Sequence, residues 1–444
     1  MPPETLLRKW KSSLLERART GSLEAVAAVR KFVERSEDQD LDICAAVMPC
    51  LSHSLIPSPD VTLQDASSIQ NLLVASEAFQ VITSVCQNRD QLKPALPEDY
   101  LPLFLEYQPH LFQWMEFFHR QKLNREFYRS LCTVTISTLL GLHDVLKTAI
   151  LTIPSNVDAI LSNWIKQDVF LGNVSMKMWK EGPCSSFFVV DTVFRHEEGK
   201  IILDDIFMTS PLKAQAFAKA LIARISNIAT EHAGQVGEMP SAFLSTYLNE
   251  LLHLSSLFAK HPAGCRALLG SSTLFSATAS VLLQVARNVG VQQGIDVWHS
   301  IIKCASTLLG LCFVVEQGTV DPLDRISSAL QWGILQTICR CLVRLPLIDR
   351  NFSACTDMLG CLITCAMMHR PSLKHLLSAK SAAMDTVDFV LLKNRSQLVR
   401  KYACDFEITI EPIPHMMGTR VEREKRMGIC DNINVRIFHT PIHT

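Results

Sequence analysis

The sequence is short of charge, of glycine and proline, of aromatic residues and of closely spaced cysteines. Charged residues make up 19% of 444, and Lys plus Arg balances Asp plus Glu at 43 each. A chain with no excess of either sign carries no overall field towards nucleic acid or an acidic membrane. Seventeen glycines and twenty prolines are few for this length. That argues against a β-sandwich, which spends both on tight turns. Aromatics are only 7% while apolar residues reach 48%, so aliphatic side chains dominate the core. The fifteen cysteines run from Cys44 to Cys430 without one C-x₂-C. Most lie in apolar helical patterns, where a thiol behaves as a small hydrophobe. Buried free thiols are expected, with no disulfides and no zinc.

Two further absences concern location. The opening "MPPETLLRKWKSSLLERARTG" is charged every few residues and has no apolar signal-peptide core. The longest apolar runs, such as "LLGLCFVV" at 308–315, fall well short of the roughly 18 residues that span a bilayer. A soluble intracellular chain, cytoplasmic or nuclear and not membrane-bound, is the expectation. The sequons at Asn173, Asn351 and Asn394 are then chance matches.

What the sequence does have is helical periodicity. Leu6, Leu7, Trp10, Leu14 and Leu15 form one apolar face. Ser22 is placed to cap a second helix with Leu23, Val26, Val29 and Val33 inward. A long helix is predicted from about Thr62 to Cys86, with Asp60 or Thr62 as cap. Further amphipathic runs cover 124–150, 156–180, 211–232, 240–260, 272–289, 295–316, 322–345 and 353–369. The β-branched stretch "SSFFVVDTVFRHEEGKIILDDIF" could make a hairpin at Gly199, but a lone hairpin has no sheet to join, so two short helices are preferred.

A faint repeat runs through the second half. With an offset of 109 residues, Pro262 aligns with Pro371, Leu268 with Leu377, Ser272 with Ser381, and Val281-Leu282-Leu283 with Val390-Leu391-Leu392. A weaker third copy places Pro154 at the same point. Proline suits the first turn of a helix, whose N–H groups lack acceptors anyway. This pattern of long helix, proline turn, short helix and long helix resembles armadillo or HEAT repeats, whose unit is about 40–47 residues. The expected fold is all-α, either an armadillo/HEAT-like α-solenoid or an irregular helical array. N-terminal helices occupy 1–55, the helical body 60–403, and a poorly ordered tail 404–444.

Candidate chemistry is sparse. No phosphate-binding glycine loop, nucleophile elbow, H-E-x-x-H or calcium loop occurs. "HEEGK" at 196–200 lacks the second histidine, and Asp204-Asp205 are adjacent on a helix and do not face each other. Cys361 and Cys365 share a helix face with Cys355 two turns earlier, but apolar neighbours disfavour thiolates; Cys339 and Cys341 read the same way. His232, His253, His261, His299, His369 and His375 have no partner at ligand spacing, and His232 and His261 are placed to meet helix C-terminal carbonyls. Around 179–210, Trp179, Cys184, Ser185, Ser186, Asp191 and His196 hold the residue types of a nucleophilic site. Asn249, Trp298 and Trp332 are candidates for a binding surface, although each residue type is as readily core or cap.

In the tail, Cys404, Cys430, His439 and His443 have the types but not the spacing of a zinc site, because 25 residues separate the cysteines. The helical body followed by "PHMMGTRVEREKRMGICDN" resembles fungal armadillo-like proteins that end in a MYND-type zinc finger. Only Cys430 matches the finger; Ile433 stands where its second cysteine would be. The resemblance therefore carries over no metal ligand, and it implies a regulator of transcription or chromatin as one alternative. An enzyme with its site near 179–210 is another. The leading expectation is a protein–protein interaction scaffold or adaptor for a protein or peptide partner. It has no catalytic residue, no cofactor, no metal and no direct nucleic-acid contact.

Overall fold

The computed structural model describes residues 3–36, 40–57, 65–90, 96–120, 125–166, 185–232, 241–289, 294–345 and 349–384. Nineteen α-helices and no strand occur among them. They are α1 (Pro3–Arg19), α2 (Leu23–Ser36), α3 (Leu41–Val47), α4 (Ala66–Asp90), α5 (Leu101–Arg120), α6 (Arg125–Leu142) and α7 (Asp144–Leu151). Next come α8 (Pro154–Lys166), α9 (Ser185–Arg195), α10 (Glu197–Thr209), α11 (Pro211–His232), α12 (Ser241–Phe258) and α13 (Pro262–Leu269). The last are α14 (Thr273–Asn288), α15 (Ile295–Cys312), α16 (Pro322–Gln331), α17 (Ile334–Arg344), α18 (Arg350–Met368) and α19 (Arg370–Met384). The all-α expectation holds, and the 185–207 stretch forms two helices.

Helix starts follow local chemistry. Ser22 Oγ accepts from Ala25 N–H at 3.4 Å and caps α2, with Val26, Val29 and Val33 buried as the periodicity predicts. Trp10, expected on the inner face of α1, is 48% exposed and lies edge-on against Phe32. For α4 the cap is Asp65, whose carboxylate accepts from Ser68 N–H at 3.0 Å. Asp60 and Thr62 lie outside the described residues.

Two long runs are broken where continuous helices were expected. At His143 the backbone is extended and the ring Nδ1 accepts from Val145 N–H at 3.1 Å, ending α6 and starting α7. At Trp332-Gly333 the chain turns between α16 and α17, with Gly333 in the left-handed region at φ 106°.

From α7 onward the helices pack with a period of three. Third helices stack in one row: α9 on α12, α12 on α15, α15 on α18, with α6 before α9. Second helices form another row: α8 on α11, α11 on α14, α14 on α17. The first helices are α7, α10, α13, α16 and α19. One contiguous aliphatic core runs between the rows and on to α1–α6. The 109-residue offset therefore spans two triplets, from α13 to α19. The intervening copy begins at Pro322. Pro154 is out of register, because it opens a second helix, as Pro211 does.

α4 and α15 each contain a window of at least 18 residues long and apolar enough to cross a membrane, contrary to the expectation that none would. In this fold more than half of each window is buried against other helices of the chain. α15 lies between α12 and α18, and α4 between α2 and α6.

Candidate functional site

The helices of the third row turn apolar residues inward and leave a polar stripe outward. On α12 this stripe is Thr246, Asn249, His253 and Ser256, at i, i+3, i+7 and i+10; on α15 it is Asp296, His299, Lys303 and Thr307. On α9 it is Asp191 and Arg195. Stacking of α9, α12 and α15 sets these stripes side by side.

Its most charged part lies at the α9–α12 crossing. Asp191 accepts from Arg195 Nε at 2.9 Å and lies 3.1 Å from His253 Nε2. Arg195 Nη2 also reaches His253 Nε2 at 2.7 Å. Both contacts converge on one ring nitrogen, so its proton decides between them: a protonated Nε2 donates to Asp191, a bare one accepts from Arg195. Burial works against the charge of Asp191, yet the hydrogen bonds from His253 and Arg195 more than offset it and hold the carboxyl below its ordinary range. Beneath them lies Glu250, almost fully buried, with Oε2 unpartnered. Burial, and then the negative charge of Asp191, pushes the Glu250 carboxyl up to about 7. At the far edge, His299 Nε2 meets Asp349 Oδ2 at 2.6 Å, where Asp349 also caps α18 through Asn351 N–H.

Of the binding-surface candidates, Asn249 lies half-buried on this stripe. Trp298 is 5% exposed and belongs to the core. Trp332 is 49% exposed at the α16–α17 corner. Of the 179–210 residues, Asp191 engages Arg195 and His253, while His196 lies 3.3 Å from Thr148 Oγ1 and 3.1 Å from Glu198. Trp179 and Cys184 lie outside the described residues. His261 does not bond helix-terminal carbonyls through its ring; it sits at the start of α13 and pairs with Asp204 of α10. The side chain of His232 lies outside the described residues, as do Cys404, Cys430, His439 and His443.

No protein-family model, curated protein or solved structure matches this chain. The geometry is then the whole basis for a functional reading. All twelve cysteines in the described residues are free, and eleven are buried. Burial pushes the thiols of Cys132, Cys304 and Cys312 up, and that of Cys50 up to about 11. A thiol held protonated is neither nucleophile nor ligand. The Cys341 thiol of α17, beside Cys355, is pushed up by burial, whereas Cys365 draws that of Cys361, the one cysteine among these that is not buried, down to about 7. Among the described residues no group of three or more His, Cys, Asp or Glu gathers as a metal site. A narrow apolar recess between Val157, Ile160, Val190 and Phe194 has no room for a water molecule.

Buried arginines act structurally. Arg224 lies 3.8 Å over the Trp164 ring and donates to Trp164 O at 2.6 Å, and Arg129 donates to Lys166 O. Both satisfy carbonyls at the end of α8, which carry the negative end of the helix dipole. Sequence reading missed the Asp191–His253 contact because it joins helices far apart in the chain. The signal available was the stripe itself: polar residues at helical spacing within otherwise apolar α12.

Proposed function

We propose that this chain is a protein–protein interaction scaffold, an armadillo- or HEAT-like α-solenoid that binds an extended peptide segment of a partner along the α9–α12–α15 face. The observation that carries the reading is the continuous polar stripe on successive stacked helices. Arrays of stacked helix units offer long surfaces of this kind to extended chains. The Asn249 amide can both donate to and accept from a peptide backbone. Arg195 and Lys303 supply cations beside it, and Asp191 and Asp296 supply carboxylates. The reduced, buried thiols support an intracellular setting, cytoplasmic or nuclear.

The test is selection from a displayed library of random twelve-residue peptides on the purified chain and on a triple variant, Asn249→Ala, His253→Ala and Lys303→Glu. Enrichment on the parent chain that disappears on the variant is the expected result. Equal enrichment on both, or none on either, would sink the proposal.

A further inference from the structure

α10 lies among the first helices of the triplets, outside the α9–α12–α15 row. Its inner residues, Leu203 and Phe207, are buried, and Gly199 packs so closely that an added Cβ would lie 2.8 Å from Val193 O. Its outer face is unlike that of a solvated helix. Ile201 and Met208, seven residues apart on the same face, are each 64% exposed. Leu212, 77% exposed, follows at the corner into α11. Carboxylates flank the apolar pair on both sides: Glu197 and Asp204 along one edge, Glu198 and Asp205 along the other. Lys200 is the one cation on this helix. Asp204 is paired with His261, and Glu198 lies beside His196. Glu197 and Asp205 engage no cation in the described residues.

Two large apolar side chains left in water forgo a favourable burial, and exposed apolar surface rimmed by charge is what a docking contact presents. The acidic rim states the charge of what covers it. We propose that the outer face of α10 docks a basic amphipathic helix of a partner protein, its apolar side on Ile201 and Met208 and its Lys or Arg residues against Glu197, Glu198 and Asp205. Such a helix-on-helix contact reads apolar anchors at helical spacing, while the charges set orientation and association rate. A second copy of this chain is disfavoured, because self-pairing would bring two acidic rims together. The proposal deepens the scaffold reading and rests on it.

The probe is a fluorescein-labelled 14-residue helix of Leu and Lys in amphipathic order, titrated with the full chain and followed by anisotropy. A control peptide keeps the Leu face and replaces Lys by Glu. The expected result is micromolar binding of the Leu/Lys helix, weakened at least about tenfold by Ile201→Ser with Met208→Ser and by Glu197→Lys with Asp205→Lys. The control helix should not bind. Unchanged affinity in the serine variant, equal binding of the control, or no binding at all would overturn the docking site. So would self-association of the chain, or uptake on zwitterionic vesicles, that the serine variant abolishes. All four substituted positions face solvent, so circular dichroism should show unchanged helicity. Failure here with peptide selection intact on the α9–α12–α15 face removes this site alone and leaves the scaffold reading standing.

Discussion

Asp191 of α9 and His253 of α12 meet at 3.1 Å across the boundary between two successive helix triplets. The contact has relatives at the other boundaries: Asp204 with His261, Asp349 with His299 at 2.6 Å, and Asp324 with His369 at 3.5 Å. Each joins a carboxylate on one triplet to a histidine on a neighbouring one, or at its edge. A core of aliphatic side chains has little directional preference, and these polar pairs add a register to the stacking.

The first prediction concerns the coupling between Asp191 and Glu250. The charge of Asp191 is the second cause, after burial, of the raised Glu250 carboxyl. Asp191→Asn removes that charge and leaves Arg195 in place. The Glu250 midpoint should then fall from about 7 by roughly half a unit to one unit. Carbon-detected NMR of the glutamate carboxyl reads it directly. A midpoint that stays at its original value would show that burial alone sets it.

The second prediction is a pair of opposing pH slopes. Glu250 has its native carboxyl raised to about 7 from 4.5. The folded chain holds a proton there that the unfolded chain releases, so stability falls as pH rises from 4.5 to 7, by about 3 kcal/mol. His119 behaves in the reverse sense. Burial, with help from Arg129 and Lys166, lowers it to about 4 from 6.5. The unfolded chain takes up that proton first, so stability rises with pH between 4 and 6.5, by about 3 kcal/mol. The two nearly cancel between pH 4.5 and 6.5. Urea midpoints at a series of pH values should be flat there for the parent chain. They should rise with pH in Glu250→Gln and fall in His119→Gln. Parallel profiles for the three proteins would refute this.

The third prediction concerns Arg325, which is fully buried and, among the described residues, meets no carboxylate at contact distance. Its Nη1 donates to the carbonyls of Leu311, Cys312 and Val314 at 3.3, 3.2 and 2.6 Å, and Nε and Nη2 are unpartnered. The guanidinium thus replaces water at the end of α15, where the helix dipole favours a cation. Burial lowers its pKa from the ordinary value, a sign that its solvation is incomplete. Arg325→Ala leaves the carbonyls bare beside a cavity and should cost about 3–5 kcal/mol. Arg325→Met fills the space without the charge and should cost about half of that. Equal losses, measured as shifts in urea midpoint, would mean that filling the space contributes nothing; a methionine variant as stable as the parent would mean that packing rather than carbonyl capping is the role of Arg325.

Much of the array was legible because core-facing residues recur at helical spacing whatever the helices pack against. Ser22 and the inward valines of α2 show this well. The period was half legible: Pro262 and Pro371 stand two triplets apart, and the copy between them begins "PLDRISSALQ", which shares the proline and little else. The break at His143 was invisible because apolar residues keep their phase across it. Only the cap formed by an imidazole interrupts the ladder. The candidate face was legible at Asn249 but not at Asp191 or His253, since partners on separate helices leave no local pattern. Trp298 misled for the opposite reason: an indole on an amphipathic helix fits core and surface alike, and here it fills the core.

The break at Trp332-Gly333 yields the last prediction. Gly333 is constrained twice. Its φ of 106° lies where a Cβ is unfavourable, and an added Cβ would sit 2.4 Å from Leu283 Cδ2 and 3.2 Å from Leu283 Cβ. The corner lets α16 and α17 both pack on α14, so it cannot straighten without separating them. Gly333→Ala should therefore cost about 2–3 kcal/mol, from backbone strain of about 1–2 kcal/mol and displacement of Leu283. Gly310 supplies the comparison: it is exposed in α15, with nothing within 4 Å of an added Cβ. Gly310→Ala should stabilise by about 0.5–1 kcal/mol, because alanine restricts the unfolded chain and favours helix. If Gly333→Ala unfolds at the same urea concentration as the parent, the corner is not held by its glycine. A double variant of Gly333→Ala with Leu283→Ala separates the two causes: relief of the clash leaves only the backbone strain, on top of the cavity that Leu283→Ala makes by itself.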